Sequence, residues 1–232
     1  MKLYFFQHVP YESSGYILEW AKERGHSCYF VNFYENASLP QINQIDGMVI
    51  MGGPMNIYDV EEYSWLEPET DFVKSFIQSG KKVLGICLGS QMLADAVGAK
   101  VKKNDHTEIG WFKVSVDQVS MPKQFAGIFP DEFITFHWHG DTFDIPQKAK
   151  GFMSSDATPN QAFIHKNVAA FQFHPEMTKE GVIKLIVQNE EVFNNGYPFV
   201  QTKAELVDTV IHFQTNKNIL YKFLDIFFEK EK

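Results

Sequence analysis

One cysteine flanked by glycines, and one histidine followed two residues later by a carboxylate, are the residues of this chain best placed to carry acyl-transfer chemistry. Cys87 lies in Lys82-Val83-Leu84-Gly85-Ile86-Cys87-Leu88-Gly89-Ser90-Gln91, an apolar run that breaks into Gly-x-Cys-x-Gly before a helical pattern. A nucleophile at a sharp strand-to-helix turn is held in a strained conformation, and small neighbours two positions to either side let the chain pass without clashing. Gly85 and Gly89 are those neighbours. The next segment, Ser90 to Val97, puts Met92, Leu93, Ala96 and Val97 on one face and stops at Gly98, as a glycine-terminated amphipathic helix does. Cys87 then stands at a helix N-terminus, where the dipole and free N–H groups favour thiolate over thiol. The competing reading is packing, since free cysteine is among the most buried residue types.

A cysteine nucleophile needs a base that returns its proton to the leaving group, and a third group that orients the base. Phe171-Gln172-Phe173-His174-Pro175-Glu176 supplies both. His174 emerges from a buried-looking strand, Pro175 fixes the backbone after it, and Glu176 reaches an imidazole nitrogen to hold the tautomer. Standing alone, His174 reads as a structural histidine and Glu176 as a helix-start carboxylate. Attack also creates an oxyanion, which requires preorganised backbone donors. Gly52-Gly53-Pro54, at the end of an apolar strand, offers the Gly53 N–H, and Leu88, after the nucleophile, offers the second. A plain glycine turn is the alternative for Gly-Gly-Pro.

His137-Trp138-His139 followed by Asp141 invites a metal reading. The two histidines share a face only if a strand runs through them, and Gly140 suggests that it ends there. The expectation is therefore no metal site.

The elements that must position these residues follow from periodicity. Strand signals at Leu3 to Phe6, Ser27 to Val31, Gly47 to Met51 and the run into Cys87 alternate with helical stretches from about Ser14 to Arg24 and Glu67 to Ser79, closed by Gly25 and Gly80. This pattern predicts a parallel sheet covered on both faces, with ligands at the carboxyl ends of the strands. From about Thr107 the period becomes two, in Phe112, Val114 and Val116, then Phe133 to Phe136, Gln161 to His165 and Val168 to Phe173, with Lys166-Asn167 as a hairpin turn. After Pro175 two apolar helical stripes follow, Val182/Leu185/Ile186/Val187 and Leu220/Phe223/Leu224/Phe227/Phe228, separated by a break at Gly196 to Pro198. The segment Tyr58 to Pro68 either lines a cleft or packs on the sheet; packing is favoured.

The chain has 232 residues, 44% hydrophobic and 15% aromatic including 22 Phe, enough for one substantial folded core. A net charge of -8 without a basic cluster argues against nucleic acid. No apolar run is long enough to span a membrane or to act as a signal peptide. Two cysteines, Cys28 and Cys87, build no disulfide framework, which suits a reducing compartment and predicts a cytoplasmic protein.

Together, Gly85-Ile86-Cys87-Leu88-Gly89-Ser90-Gln91 and His174-Pro175-Glu176 resemble the class I glutamine amidotransferase family, whose Cys-His-Glu triad hydrolyses the glutamine side-chain amide. The chain looks most like stand-alone, GMP-synthase-like members, on Met51-Gly52-Gly53-Pro54-Met55-Asn56-Ile57-Tyr58-Asp59, Glu108-Ile109-Gly110-Trp111 and Phe136-His137-Trp138-His139-Gly140-Asp141. The resemblance implies an α/β three-layer sandwich with a mostly parallel, flavodoxin-like sheet over residues 1–178. Residues 179–232 are expected as a helical extension packed on the same domain. It implies Cys87 as nucleophile, His174 as base and acid, Glu176 as orienter, Gly53 and Leu88 as oxyanion donors, and Gln91, Gly140 and Asp141 as contacts to the substrate glutamine. No metal or organic cofactor is implied. Three functions stay open: supply of ammonia to a separate synthetase subunit, independent hydrolysis of γ-glutamyl compounds, or a binding module that has kept the fold.

Overall fold

The computed structural model describes residues 1–35, 37–194, 196–207 and 210–229. Its first half alternates strand and helix: β1 (Lys2–Gln7), α1 (Gly15–Glu23), β2 (Ser27–Asn32), β3 (Gly47–Ile50), α2 (Leu66–Gln78), β4 (Lys82–Ile86) and α3 (Leu88–Ala96). Five strands follow, β5 (Val101–Val116), β6 (Glu132–Phe143), β7 (Lys150–Ser154), β8 (Ala162–His165) and β9 (Val168–Phe171), and then α4 (Lys179–Gln188), α5 (Lys203–Val207) and α6 (Val210–Phe227). All nine strands join one sheet in the order β2-β1-β3-β4-β9-β8-β7-β5-β6. The first five in that order run parallel, and β8, β7, β5 and β6 add antiparallel pairings at one side.

Strands β3 and β9 are buried at every position, because helices cover both faces of the sheet. Alternation along β1 shows the two faces. Leu3 and Phe5 enter a core with Ile17 and Trp20 of α1 and Phe223 and Phe227 of α6, whereas Phe6 enters the opposite core with Val73 and Phe76 of α2 and Met92 and Leu93 of α3. The fold is thus helix, sheet and helix in three layers, as the resemblance implied.

The C-terminal stripe closes the first core. The Phe223 ring lies 4.9 Å from those of both Phe125 and Phe171, and Arg24 grips Asp225 of α6 with two bonds of 2.8 and 2.9 Å. The ion pair is half exposed and contributes little; the buried rings, each worth about 1.5–3 kcal/mol, fix α6 on the sheet. A third core, with Ile109, Trp111, Phe136, Val182, Leu185 and Leu206, lies under α4 and α5.

Several boundaries differ from the expectations. The helix after Cys87 starts at Leu88 rather than Ser90, because Cys87 itself makes the turn. The antiparallel region begins at Val101, and β7 has no counterpart among the expected strands. Strand β6 does not end at Gly140: pairing of Glu108 with His139 and of Lys103 with Asp141 carries it on to Phe143, across an irregularity between Lys103 and Glu108. In the Tyr58 to Pro68 segment, Trp65 stacks on Phe33 at 4.9 Å and on His8 at 5.3 Å and Leu66 is buried, so this end packs, whereas Tyr58 and Val60 are exposed. No helix among the described residues is long and apolar enough to cross a membrane.

Candidate active site

The end of β4 delivers Cys87 in a conformation that side chains rarely adopt, φ +50° and ψ -108°. Such strain costs about 1–3 kcal/mol and persists where packing over-determines it. Here the packing is explicit. A Cβ on Gly85 would fall on the Gly89 carbonyl, and a Cβ on Gly89 would fall on the carbonyl of Ile50 in β3. Both glycines are therefore required for α3 to approach the sheet. The Cys87 N–H bonds the Phe171 carbonyl of β9 at 2.9 Å, and the Ser90 hydroxyl bonds the Cys87 carbonyl at 2.6 Å.

Strand β9 delivers the base. Past its end the His174 N–H donates to the Phe136 carbonyl of β6 at 2.7 Å, which fixes the histidine backbone across the sheet. Its Nδ1 bonds Glu176 Oε1 at 2.8 Å, and both side chains are buried. Glu176 is held in turn from α1: its carbonyl accepts the Tyr16 N–H at 2.9 Å, beside Gly15, where a Cβ would strike that same carbonyl. His174 Nε2 has no hydrogen-bond partner among the described residues; it interacts electrostatically with Cys87, whose thiol donates to the Trp138 carbonyl at 3.6 Å. Burial opposes the His174 imidazolium, but the Glu176 carboxylate and Cys87 outweigh it and hold the pKa well above its ordinary value.

The expectation of a thiolate at Cys87 needs correction. Burial pushes the thiol up, and the opposing pull of His174 and of the Leu88 N–H does not cancel it in the empty site. Desolvation outweighs the helix terminus.

Cys87 opens into a cavity of about 330 Å³ that is also lined by Gly53, Gln91, Trp138, Gly140 and Asp141. Leu88 directs its N–H to the sulfur. A Cβ on Gly53 would lie 2.6 Å from Met55 Sδ and 3.0 Å from Leu88 Cδ2, so a side chain there would have to displace both. Gln91 donates to Gln172 at 3.2 Å, and Asn56 donates to the Asp141 carboxylate at 2.6 Å. All the catalytic, oxyanion and substrate residues singled out in the sequence therefore converge on one place.

Other residues there carry no local sequence signal. Glu12, on the loop after β1, lines the same cavity and is buried. Behind the Gly52 turn, His8 joins the Gly52 carbonyl at 2.9 Å to Glu69 Oε1 at 3.0 Å, with both side chains fully buried. Both Glu12 and His8 follow the carboxyl end of a parallel strand, the one signal that could have found them.

Glu108, His137 and His139 form the one group among the described residues with metal-ligand types converging, their ligand atoms within 4.8 Å of one another. Asp141, the third candidate from sequence, is not part of it. Glu108 Oε2 accepts from Thr158 Oγ1 and from Gln161 Nε2, both at 2.9 Å, and that amide nitrogen also lies 3.3 Å from His137 Nδ1. The Gln161 amide nitrogen thus lies beside both carboxylate and imidazole. His139 spans from Glu108 at 3.2 Å to the Asp141 carbonyl at 3.0 Å, which ties this cluster to the cavity wall. Burial works against the Glu108 carboxylate, but its histidine and hydroxyl neighbours hold it down at about 2; burial likewise brings His137 down to about 3.

Comparison with known proteins agrees with this geometry. The model of the family "Glutamine amidotransferase class-I" matches residues 14–191. The chain belongs to that family. It is 28% identical over 232 residues to the putative glutamine amidotransferase-like protein YfeJ of Salmonella typhimurium, covering 97% of this chain and 96% of that protein. It is 32% identical over 178 residues to one of the subunits of the glutamine-hydrolysing GMP synthase of Thermoplasma volcanium, covering 73% and 79%. The crystal structure of a glutamine amidotransferase from Thermotoga maritima superposes with a TM-score of 0.91 at 27% identity, covering 99% of both chains. Of the GMP synthases of Wolinella succinogenes and Aliarcobacter butzleri the chain spans only 31% and 24% of the length.

Proposed function

We propose that this protein hydrolyses the γ-amide of glutamine through a thioester on Cys87. The observation that carries the reading is the strained Cys87 facing Nε2 of a histidine whose Nδ1 is locked to Glu176 at 2.8 Å. Cys87 gives its thiol proton to His174 Nε2 as Sγ attacks the amide carbon, the oxyanion takes the Gly53 and Leu88 N–H groups, and the carbon–nitrogen bond breaks as His174 Nε2 passes that proton to the nitrogen. Ammonia leaves. His174 then takes a proton from water as the water oxygen attacks the thioester carbon, the carbon–sulfur bond breaks, Sγ takes that proton back from His174, and glutamate departs. Gln91, Gly140 and Asp141 hold the substrate's amino-acid end. Neither step calls for a metal or organic cofactor.

The ammonia would pass to a separate synthetase, and similarity to one subunit of a GMP synthase supports this reading. A second reading, direct hydrolysis of γ-glutamyl compounds, is favoured by the acidic side chain that the cavity presents beside the nucleophile. The two unpaired cysteines fit a cytoplasmic location. Residues 179–232 would serve as part of the same domain, since α6 completes its core. The test is glutamate release from glutamine and from γ-glutamyl amides by the purified chain. Glutamate release lost in Cys87→Ala supports the reading; an undiminished rate in that variant overturns it.

A further inference from the structure

The proposed steps leave Glu12 without a task. The residue is only 9% exposed, yet it lines the cavity of Cys87. Among the described residues no donor hydrogen-bonds its carboxyl; the bond recorded at this residue runs from Gln7 Nε2 to the Glu12 backbone carbonyl at 3.1 Å. The neighbouring imidazoles are already engaged, His8 by Glu69 and Gly52, and His174 by Glu176. A carboxyl this deep in the protein, with no donor on it and access only to the cavity, is placed to pair with a donor group on a ligand.

Its position says which part of a substrate that ligand is. A Cβ on Gly52 would fall on Glu12 Oε2 and lie 3.2 Å from His174 Cε1, the ring carbon bonded to Nε2. The Glu12 carboxyl therefore flanks the imidazole edge that delivers a proton to the leaving nitrogen. The substrate's amino-acid end is assigned elsewhere, to Gln91, Gly140 and Asp141. Neither lysine nor arginine lines the cavity, so a carboxylate on the leaving group would find no cation there.

We propose that Glu12 forms a leaving-group subsite that takes a positively charged amine, which makes γ-glutamyl amides of diamines better substrates than γ-glutamyl amino acids. This rests on the hydrolase reading above and names its substrate class. As such a donor binds, the Glu12 carboxylate pairs with the distal ammonium. In the acylation step Cys87 passes its proton to His174 Nε2, Sγ bonds the γ-carbonyl carbon, and the carbon–nitrogen bond breaks. The leaving nitrogen takes that proton from His174, and the diamine departs with its distal ammonium intact. Burial raises the Glu12 carboxyl against the pull of His174 and His8, and an arriving cation would oppose that rise.

The test uses the full chain and three donors of similar size, the γ-glutamyl amides of 1,3-diaminopropane, n-propylamine and β-alanine. The expected order of kcat/KM is cationic, neutral, anionic, with at least about tenfold between the extremes. Glu12→Gln should compress that ratio to within about threefold, and Glu12→Asp should keep the order. A flat or reversed series in the unmodified protein overturns the subsite while leaving the hydrolase reading standing. A readout independent of turnover is protection of Cys87 from iodoacetamide: 1,3-diaminopropane should slow alkylation of the unmodified protein and not of Glu12→Gln, and β-alanine should slow neither. Protection without turnover of any donor keeps the subsite and removes the hydrolase reading. Turnover without selective protection or leaving-group preference does the reverse.

Discussion

Two buried histidine–carboxylate groups lie within the same part of this molecule, and they are built for opposite ends. In the first, His174 is tied to Glu176 through Nδ1 and turns its Nε2 towards a thiol in an open cavity. In the second, Glu108 gathers His137, His139, Thr158 and Gln161 around one carboxylate oxygen. Burial is similar and the residue types match. The protonation states diverge: His174 is raised well above its ordinary value, whereas His137 is brought down to about 3 beside a carboxylate held at about 2. What separates the two groups is the neighbour of the imidazole: His174 has the cavity-lining Cys87 thiol beside it, whereas His137 has Glu108, Gln161 and His139.

The sharpest way to break this comparison is to remove members of the first group. Cys87→Ala and His174→Ala should each lower glutamate release by about 10³-fold or more with the fold retained, measured by turnover and circular dichroism. His174→Ala should also move the pH midpoint of Cys87 alkylation upward, because it removes the chief pull that opposes burial of the thiol. A midpoint unchanged or lowered would separate His174 from the nucleophile.

The second group should answer in stability instead. Glu108→Ala leaves buried histidines without their carboxylate and should cost about 3 kcal/mol in denaturant unfolding. In the intact chain the sign of the pH effect follows from the depressed folded value. The Glu108 contribution is complete above the unfolded carboxylate range and is lost as pH falls from about 4.5 towards 2, on the order of 3 kcal/mol. An acid-unfolding curve that is the same in Glu108→Gln as in the unmodified chain would contradict this. The smallest effect belongs to the cavity wall: Asp141→Asn, which keeps size but removes charge, should raise KM for glutamine several-fold with little change in kcat.

The triad was legible in the sequence because its signals are local. Gly85 and Gly89 bracket Cys87 within five residues, and His174 and Glu176 are two apart, so short motifs single these residues out and the family resemblance implies their roles. The three-layer architecture was legible for a similar reason, since glycine-terminated helices alternate with apolar strands. Glu12 and the Glu108 cluster were not legible, because their partners lie on other elements and only the folded sheet brings them together. Strand β6 reads short at Gly140 because glycine weakens a strand locally, whereas pairing with β5 decides the outcome across the sheet. The protonation of Cys87 was misread for a related reason: helix position can be read from sequence, but the extent of desolvation cannot.

The central claim is that Cys87 carries the acyl group. Mixing the protein with excess glutamine, quenching in acid and mapping peptides by mass spectrometry tests it directly. The account predicts one γ-glutamyl group on the peptide containing Cys87 and none on that containing Cys28, with the adduct absent from Cys87→Ala. Glutamate release without any adduct on Cys87, undiminished when Cys87 is replaced, would contradict it.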